Sequence, residues 1–194
     1  RRAIRHPAYQ GFSAERIEVD LAVLELATPA PSLARRYPIY AGPVAVGMPI
    51  HLAGYGASGS GSQGVSVAPA ATVKRAGENV ISQLPPSRPA GQDASQGDAG
   101  PDLPASYLFV FSAPRASDPN SAPVFARQAY TGLAGGDSGS PAFVGAPGRL
   151  QLLGVNAYVA RPSDAPGPMF GYGTVGGGSV LSRHLRWIWS VMRG

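Results

Sequence analysis

The sequence predicts an all-β domain, either an antiparallel β-barrel or a sandwich. Short apolar segments of strand length recur along the chain, and turn residues separate them, with 26 glycines and 20 prolines among 194 residues. A helical pattern stands out only at the C-terminal end. Many short strands, glycine-rich turns and one terminal helix are typical of barrels and sandwiches rather than of α/β folds.

The N-terminal third predicts two strands and a loop. Apolar residues at every second position from Ile17 to Val23 predict a first strand over 17–26, with Asp20 in its middle. The segment PIHLAGY at 49–55 predicts a second strand. The glycine-serine run GASGSGSQG at 56–64 then predicts a flexible loop.

The rest of the chain predicts further strands at 65–74, 78–84, 106–113, 140–144, 151–160 and the glycine-rich 171–178. Between them, 85–104 is rich in proline and poor in apolar residues. We interpret it as a long exposed loop within one domain, because the flanking strands are too short to form separate cores.

The C-terminal segment predicts a helix. Leu181, Leu185, Ile188 and Met192 recur at helical spacing, and Ser182 is a candidate N-cap. Arginine and tryptophan on one helix are compatible with binding at a membrane surface. Packing of the apolar stripe on the domain body is the more common arrangement and is favoured here.

Composition limits the classes of site and partner. There is no cysteine, which excludes disulfides and thiolate zinc sites, and three scattered histidines predict neither a metal site nor a cofactor. No apolar run reaches the roughly 18 residues of a membrane span. The net charge of +5 is carried almost entirely by arginine, without an interleaved aromatic pattern, so no nucleic-acid partner is predicted. No feature indicates an oligomeric state.

Ser138 lies in the stretch TGLAGGDSGSP at 131–141 and is a candidate nucleophile. A serine hydroxyl needs a base to take its proton and donors to stabilise the oxyanion that forms. Glycines before the serine let the backbone turn so that the N–H groups of Gly136 and Ser138 point to one spot. The alternative is a plain glycine turn with a solvated Asp137, and the similar letters at 58–64 (SGSGSQG) are interpreted in that way.

Four motifs in order carry a family resemblance. They are HPAYQG at 6–11 followed by VDLAVLEL at 19–26, LAGYG at 52–56, GGDSGSP followed by AFV and LLGVNAY, and Trp187-Ile188 in the terminal helix. Together they resemble the trypsin-like (chymotrypsin-fold) serine peptidases, across essentially the whole chain. A cysteine-free sequence rich in glycine and proline resembles the bacterial members.

The resemblance implies a chymotrypsin-like double antiparallel β-barrel with a C-terminal helix. Residues 1–40 would be the remnant of a first, partial barrel, carrying the catalytic aspartate and the connection between barrels. Residues 41–194 would form the complete second barrel with the nucleophile and the helix. The implied activity is that of a serine endopeptidase acting on polypeptides, without a cofactor.

The catalytic roles follow residue by residue from the resemblance. Ser138 would be the nucleophile, and Asp20 would orient the base. The amides of Gly136 and Ser138 would form the oxyanion hole. Asp137 would pair with the amino group of a newly processed N-terminus.

The resemblance also implies the substrate contacts. Residues 155–159 would form the edge strand along which an extended peptide lies, with contacts from Asn156, Ala157, Tyr158 and Val159. Gly132, six positions before Ser138, would lie at the base of the specificity pocket. Ser140 stands where the family usually has a second glycine, which is a minor departure.

The serious departure is the base, because no histidine matches the family pattern. The family's catalytic histidine precedes the aspartate by roughly 40–50 residues in the order His, Asp, Ser. Only 19 residues precede Asp20. His6 lies in a surface segment of the resembling family, while His51 begins a strand and His184 lies on the helix. Either the histidine precedes residue 1 and the chain is a fragment, which we favour, or the protein is a pseudoenzyme.

Two other functions fit parts of the sequence. Lipases with a Gly-Asp-Ser motif carry it near the N-terminus of an α/β fold, which the position of Ser138 and the scarcity of helices disfavour. A non-catalytic module that binds peptides in the same groove is the second alternative. The resemblance implies secretion, into the periplasm or out of the cell.

The sequence makes a prediction about specificity. A glycine at position 132 supplies no charge for arginine or lysine, so we expect a neutral residue before the scissile bond. Turnover of Ala, Leu and Phe peptides should exceed that of otherwise identical arginyl peptides. Faster cleavage of the arginyl peptide would contradict the assignment of Gly132.

Overall fold

The structure is a computed structural model and describes residues 2–11, 17–86, 104–113 and 130–193. Within these ranges the strands are β1 Arg2–Arg5, β2 Ala22–Glu25, β3 Pro49–Gly54, β4 Ser58–Ser60, β5 Gly64–Val67, β6 Arg75–Val80, β7 Ser106–Val110, β8 Pro141–Val144, β9 Gln151–Ala160 and β10 Val175–Val180. The helical elements there are two 3-10 helices, Ile17–Val19 and Leu181–His184, and the α-helix α1, Leu185–Arg193.

One antiparallel sheet of six strands dominates the fold. Its order is β6-β3-β8-β9-β10-β7, and it curls so that its two edge strands approach each other. An isolated bridge joins Gln83, just beyond β6, to Leu108 on β7. The side-chain amide of Asn79 adds a hydrogen bond to the carbonyl of Val110, at 3.1 Å. The all-β prediction is therefore confirmed, and the α/β lipase alternative is excluded. The pairs β1–β2 and β4–β5 form two small separate sheets.

The core lies inside the curl of the six-stranded sheet. Alternation within the strands supplies it: on β7, Tyr107 and Phe109 are fully buried and their rings stack 6.4 Å apart. The other members of the cluster are Val44, Ile50, Leu52, Ile81, Leu133, Ala142, Val144, Leu153 and Val180. Apolar burial of this kind is the main favourable contribution to folding.

The glycine-rich strand β10 is a consequence of close packing between strands. A Cβ added at Gly178 would lie 2.0 Å from the carbonyl oxygen of Val155 on β9. The register between β9 and β10 also shifts between Gly177 and Gly178, which is a β-bulge. Only glycine permits this approach. The strand runs over 175–180 rather than over the predicted 171–178.

The first predicted strand is shorter than the pattern indicated. Residues Ile17–Val19 form a 3-10 helix, the strand covers only Ala22–Glu25, and Asp20 lies between them. Ile17, Val19 and Leu21 are buried, as the alternating pattern predicted, although none of them lies in a β-strand. The carbonyl of Ile17 instead accepts hydrogen bonds from the hydroxyl of Ser179, at 2.6 Å, and from the amide of Asp20, at 3.3 Å.

The glycine-serine run is not a plain loop, because it contains β4 and the first residue of β5, which pair as a small hairpin. Strand β4 has the sequence SGS and contains no apolar side chain, which is why the apolar pattern missed it. The strand predicted over 65–74 ends at Val67. The next strand begins at Arg75 and ends at Val80, instead of covering 78–84.

The terminal helix lies on the domain body, as predicted. The ring of Trp187 contacts that of His6 edge-on, with centroids 4.7 Å apart, and Leu185 and Ile188 are half-buried. The N-cap assignment was wrong: Ser182 lies inside the 3-10 helix, and α1 begins at Leu185. In the ranges described, no helix has the length and apolarity that crossing a bilayer requires. The predicted loop at 85–104 falls almost wholly outside those ranges.

A buried hydrogen bond gives a test of the core. The hydroxyl of Tyr107 donates to Oδ1 of Asn156 at 2.7 Å, and both residues are fully buried. Tyr107→Phe should lower the free energy of unfolding by about 1–3 kcal/mol, since it leaves a buried oxygen without a donor.

The matched control is Tyr40→Phe, which removes a hydroxyl that donates to the carbonyl of Pro43 in a partly exposed position. This change should shift stability by no more than about 0.5 kcal/mol. Urea unfolding of the two variants checks the difference, and equal losses would contradict the role of the buried bond.

Candidate active site

The turn that carries Ser138 is fixed to strand β9 by backbone hydrogen bonds. The amide of Gly139 donates to the carbonyl of Asn156 at 2.8 Å, and the amide of Asn156 donates to the carbonyl of Ser140 at 2.8 Å. Gly136 and Gly139 have φ angles of +96° and +82°, which other residues adopt only with strain. The tight turn leaves Ser138 exposed at its tip.

The amides around Ser138 divide into two groups. Those of Asp137 and Ser140 donate within the turn, to the carbonyls of Ala134 at 3.1 Å and Asp137 at 2.9 Å. Those of Gly136 and Ser138, predicted to form the oxyanion hole, have no acceptor within the parts of the chain that the structure describes. Two uncommitted N–H groups beside an exposed hydroxyl can receive the developing negative charge of a tetrahedral intermediate.

Asp137 is held by backbone donors. One carboxylate oxygen accepts from the amide of Gly56 at 2.8 Å, and the other from the amide of Ala134 at 3.1 Å. The carboxylate packs so closely on the LAGYG turn that a Cβ at Gly54 or Gly56 would collide with it. The predicted pairing with a processed N-terminus stays a prediction.

A series of side-chain hydrogen bonds connects the turn that carries Ser138 to the interior of the domain. The side-chain amide of Asn156 donates to Oγ of Ser140 at 2.9 Å, and its carbonyl oxygen accepts from Tyr107. Asn156, predicted to contact substrate, has a fully buried side chain that makes these hydrogen bonds. Its structural partners, Tyr107 and Ser140, were not singled out from the sequence for this role.

A cleft of about 250 Å³ opens beside Ser138. All four predicted substrate contacts on β9 line it, namely Asn156, Ala157, Tyr158 and Val159, and the opposite wall comes from the segment before Ser138. Strand β8 pairs with β9 only from Gln151 to Val155. On the side that faces the cleft, residues 157–159 therefore have no partner strand among the described residues. An extended peptide requires such an open edge in order to pair with the strand.

Gly132 lies beside this cleft rather than in its lining. It borders a second, inner cavity of about 120 Å³, and a Cβ at Gly132 would meet the ring of Phe111 at 2.9 Å. Met169 and Phe170 line the cleft instead, and sequence reasoning missed both. Two adjacent apolar residues in the glycine- and proline-rich stretch PGPMFGYG were the available signal.

Asp20 is partly buried and has neither a hydrogen bond nor an ion pair with any side chain that the structure describes. Burial raises the pKa of its carboxyl above the usual 3.8. Its 3-10 helix is joined to β10 through the bond from Ser179 to Ile17, and Ser179 pairs with Val155 on β9. Asp20 and Ser138 are thus both tied to the same part of the β9–β10 ladder.

None of the three histidines is hydrogen-bonded to Ser138 or Asp20 within the described ranges. His6 and His184 are buried together, with Nε2 of His6 3.2 Å from Nδ1 of His184. His51 lies on β3, with Nε2 3.0 Å from the carbonyl of Gly145 and Nδ1 3.1 Å from Glu78. Over the same ranges, no cluster of three His, Asp or Glu residues could hold a metal ion.

The chain resembles a known protein in its fold and matches none by sequence. No family model and no curated protein sequence matches the chain. Among solved structures, the chain is similar to neuropsin, a serine protease expressed in the limbic system of mouse brain. The two share 14% sequence identity, the match covers 99% of this chain and 70% of that one, and the TM-score is 0.55. The fold is chymotrypsin-like. At this identity the likeness establishes the fold, and any activity has to be argued from the site.

The raised pKa of Asp20 gives a test by pH. Because the folded protein binds the proton more tightly than the unfolded chain, ionisation of Asp20 destabilises the fold. The cost is absent below pH 3.8 and grows as the pH rises through the raised pKa. Asp20→Asn should therefore be the more stable protein at neutral pH, with the difference fading on acidification.

Melting temperatures of the two proteins across this pH range check the sign. Glu25→Gln is the control, since Glu25 is an exposed carboxylate paired with Arg2. A lower melting temperature for Asp20→Asn at neutral pH would show that the carboxylate stabilises the fold and that its burial is not the dominant effect.

Proposed function

We propose that this chain carries the nucleophile, the oxyanion hole and the orienting acid of a serine endopeptidase, and that the imidazole base comes from outside these 194 residues. The observation that carries the proposal is the exposed Ser138 flanked by two N–H groups that have no acceptor among the described residues.

The reaction follows from the placement of these groups. A peptide lies extended along Ala157–Val159, with the side chain before the scissile bond in the cleft. The base takes the proton of Ser138 as Oγ attacks the carbonyl carbon, and the amides of Gly136 and Ser138 donate to the oxyanion. The base then gives the proton to the leaving amine, and water hydrolyses the acyl-enzyme.

Asp20 fits the part of the acid that orients the base. Among the described residues this partly buried carboxylate has no partner, which is unfavourable in the folded state, and an imidazole N–H would relieve that cost by donating to it. In this proposal the protein acts as a secreted or periplasmic enzyme, and Asp137 contributes by fixing the oxyanion turn.

A peptide-binding module without catalysis is the second candidate, and one observation favours it. None of the chain's three histidines contacts Ser138 in the described ranges, and triad residues act as a unit. Such a module would keep the cleft and the open edge of β9 but would not acylate Ser138.

Added imidazole separates the two candidates. Free imidazole can take the position of an absent histidine side chain, so hydrolysis of an activated peptide ester by the chain should rise and saturate with imidazole concentration. We expect the hydrolysis rate to increase by about tenfold or more, because the oxyanion hole remains in the chain and imidazole supplies the absent base. The measurement is the rate of nitrophenol release.

Two variants make the test specific. Ser138→Ala should show only the linear, non-enzymatic effect of imidazole, whereas Ser190→Ala, which changes a serine exposed on α1, should behave as the parent does. In the presence of imidazole, a fluorophosphonate probe should label the parent and spare Ser138→Ala. Absence of both saturation and labelling would reject the peptidase and leave the binding module.

A further inference from the structure

Phe170 separates the cleft from the inner cavity. It lines both spaces, together with Leu133, Ala134 and Asp137. Beyond it, the inner cavity is bounded by β3, β6 and the β4–β5 hairpin. Among the four described residues shared by the two cavities, Phe170 has the largest side chain and the only ring.

The backbone at Phe170 is held in an unfavourable conformation. Its φ angle is +62°, and it is the only non-glycine residue with a positive φ among the described residues. Bulky residues adopt this region only where the surrounding structure enforces it, and such positions often serve a function.

Arg161 holds the segment 165–172, which includes Phe170, by hydrogen bonds from its side chain. Its guanidinium donates to the carbonyls of Ala165, Pro166, Pro168 and Tyr172, all of them neutral acceptors within one segment. Charge-assisted hydrogen bonds are the stronger kind, and one guanidinium has five donors in a rigid plane. The amide of Tyr172 also donates to the carbonyl of Gly61 at 2.7 Å, which ties the loop to the β4–β5 hairpin.

The chemistry of the cleft indicates what it binds. Leu133, Val159, Met169 and Phe170 contribute apolar surface. The one carboxylate in its lining, that of Asp137, already accepts from the amides of Gly56 and Ala134. The pocket therefore suits an uncharged apolar side chain.

We propose that Phe170, positioned by Arg161, is the wall that limits the size of the apolar side chain the cleft accepts. The inference rests on the proposed function, in that the cleft is taken to receive the residue before the scissile bond. Aliphatic and single-ring side chains fit in front of Phe170, and a bicyclic side chain requires the inner cavity behind it.

Binding of product-like peptides tests the wall without requiring catalysis. Acetylated tripeptide acids that end in Leu or 2-naphthylalanine are titrated into the chain, and the ratio of the two dissociation constants is measured. Phe170→Gly, which removes the ring and suits a positive φ, should favour naphthylalanine by about tenfold or more relative to the parent, because several more apolar carbons become buried.

The control is Met192→Ala, because Met192 is an exposed residue on α1 that lines neither the cleft nor the inner cavity. It should change the ratio by less than about twofold, within ordinary effects of a surface substitution. Phe170→Leu provides a second variant with a smaller change, and it should shift the ratio in the same direction. An unchanged ratio in both Phe170 variants overturns the proposal, as does failure of the parent to bind either peptide.

A double-mutant cycle tests the positioning role of Arg161. Arg161→Met should shift the ratio in the same direction as Phe170→Gly, and combining the two should add no further shift, since Arg161 acts through the wall. Additive shifts would overturn this role. Failure of the proposed function is distinguishable: without labelling of Ser138 but with a shifted ratio, the wall belongs to a binding module. With labelling and an unchanged ratio, the peptidase stands and the wall does not.

Discussion

The attachment of the Ser138 turn to Asn156 is the constraint on which the site depends. Through its backbone, Asn156 accepts from Gly139 and donates to Ser140, and through its side chain it donates to Ser140 and accepts from Tyr107. Because Asn156, Tyr107 and Ser140 are buried or partly buried, the bonds among them are costly to break. The turn therefore holds one shape, and Ser138 is presented at its tip.

The same attachment links the site to the strand that would bind substrate. Asn156 follows Val155, where the pairing of β9 with β8 ends, and the open edge begins at Ala157, the next residue. A change that moved Asn156 would displace the hydroxyl, the two open amides and the substrate edge together. Preorganisation of these groups is what makes oxyanion stabilisation effective, since no reorganisation is needed during the reaction.

The charged groups around the site differ in whether they have hydrogen-bond partners. Asp137 and Arg161 are saturated by backbone groups and serve to fix two loops, one before Ser138 and one that carries Phe170. Asp20 is partly buried and has no such partner among the described residues.

The sequence by itself determined the all-β class, the limits of the long strand β9 and the residues around Ser138, because these depend on local periodicity and on a compact motif. It did not determine that Ile17–Val19 would be a 3-10 helix, that Gly59 would lie in a hairpin or that Phe170 would divide two cavities. Those features depend on partners distant along the chain, such as Ser179 for Ile17 and Gly61 for the loop that carries Phe170. Only the tertiary structure brings such partners together, because their hydrogen bonds and close contacts leave no periodic trace in the sequence.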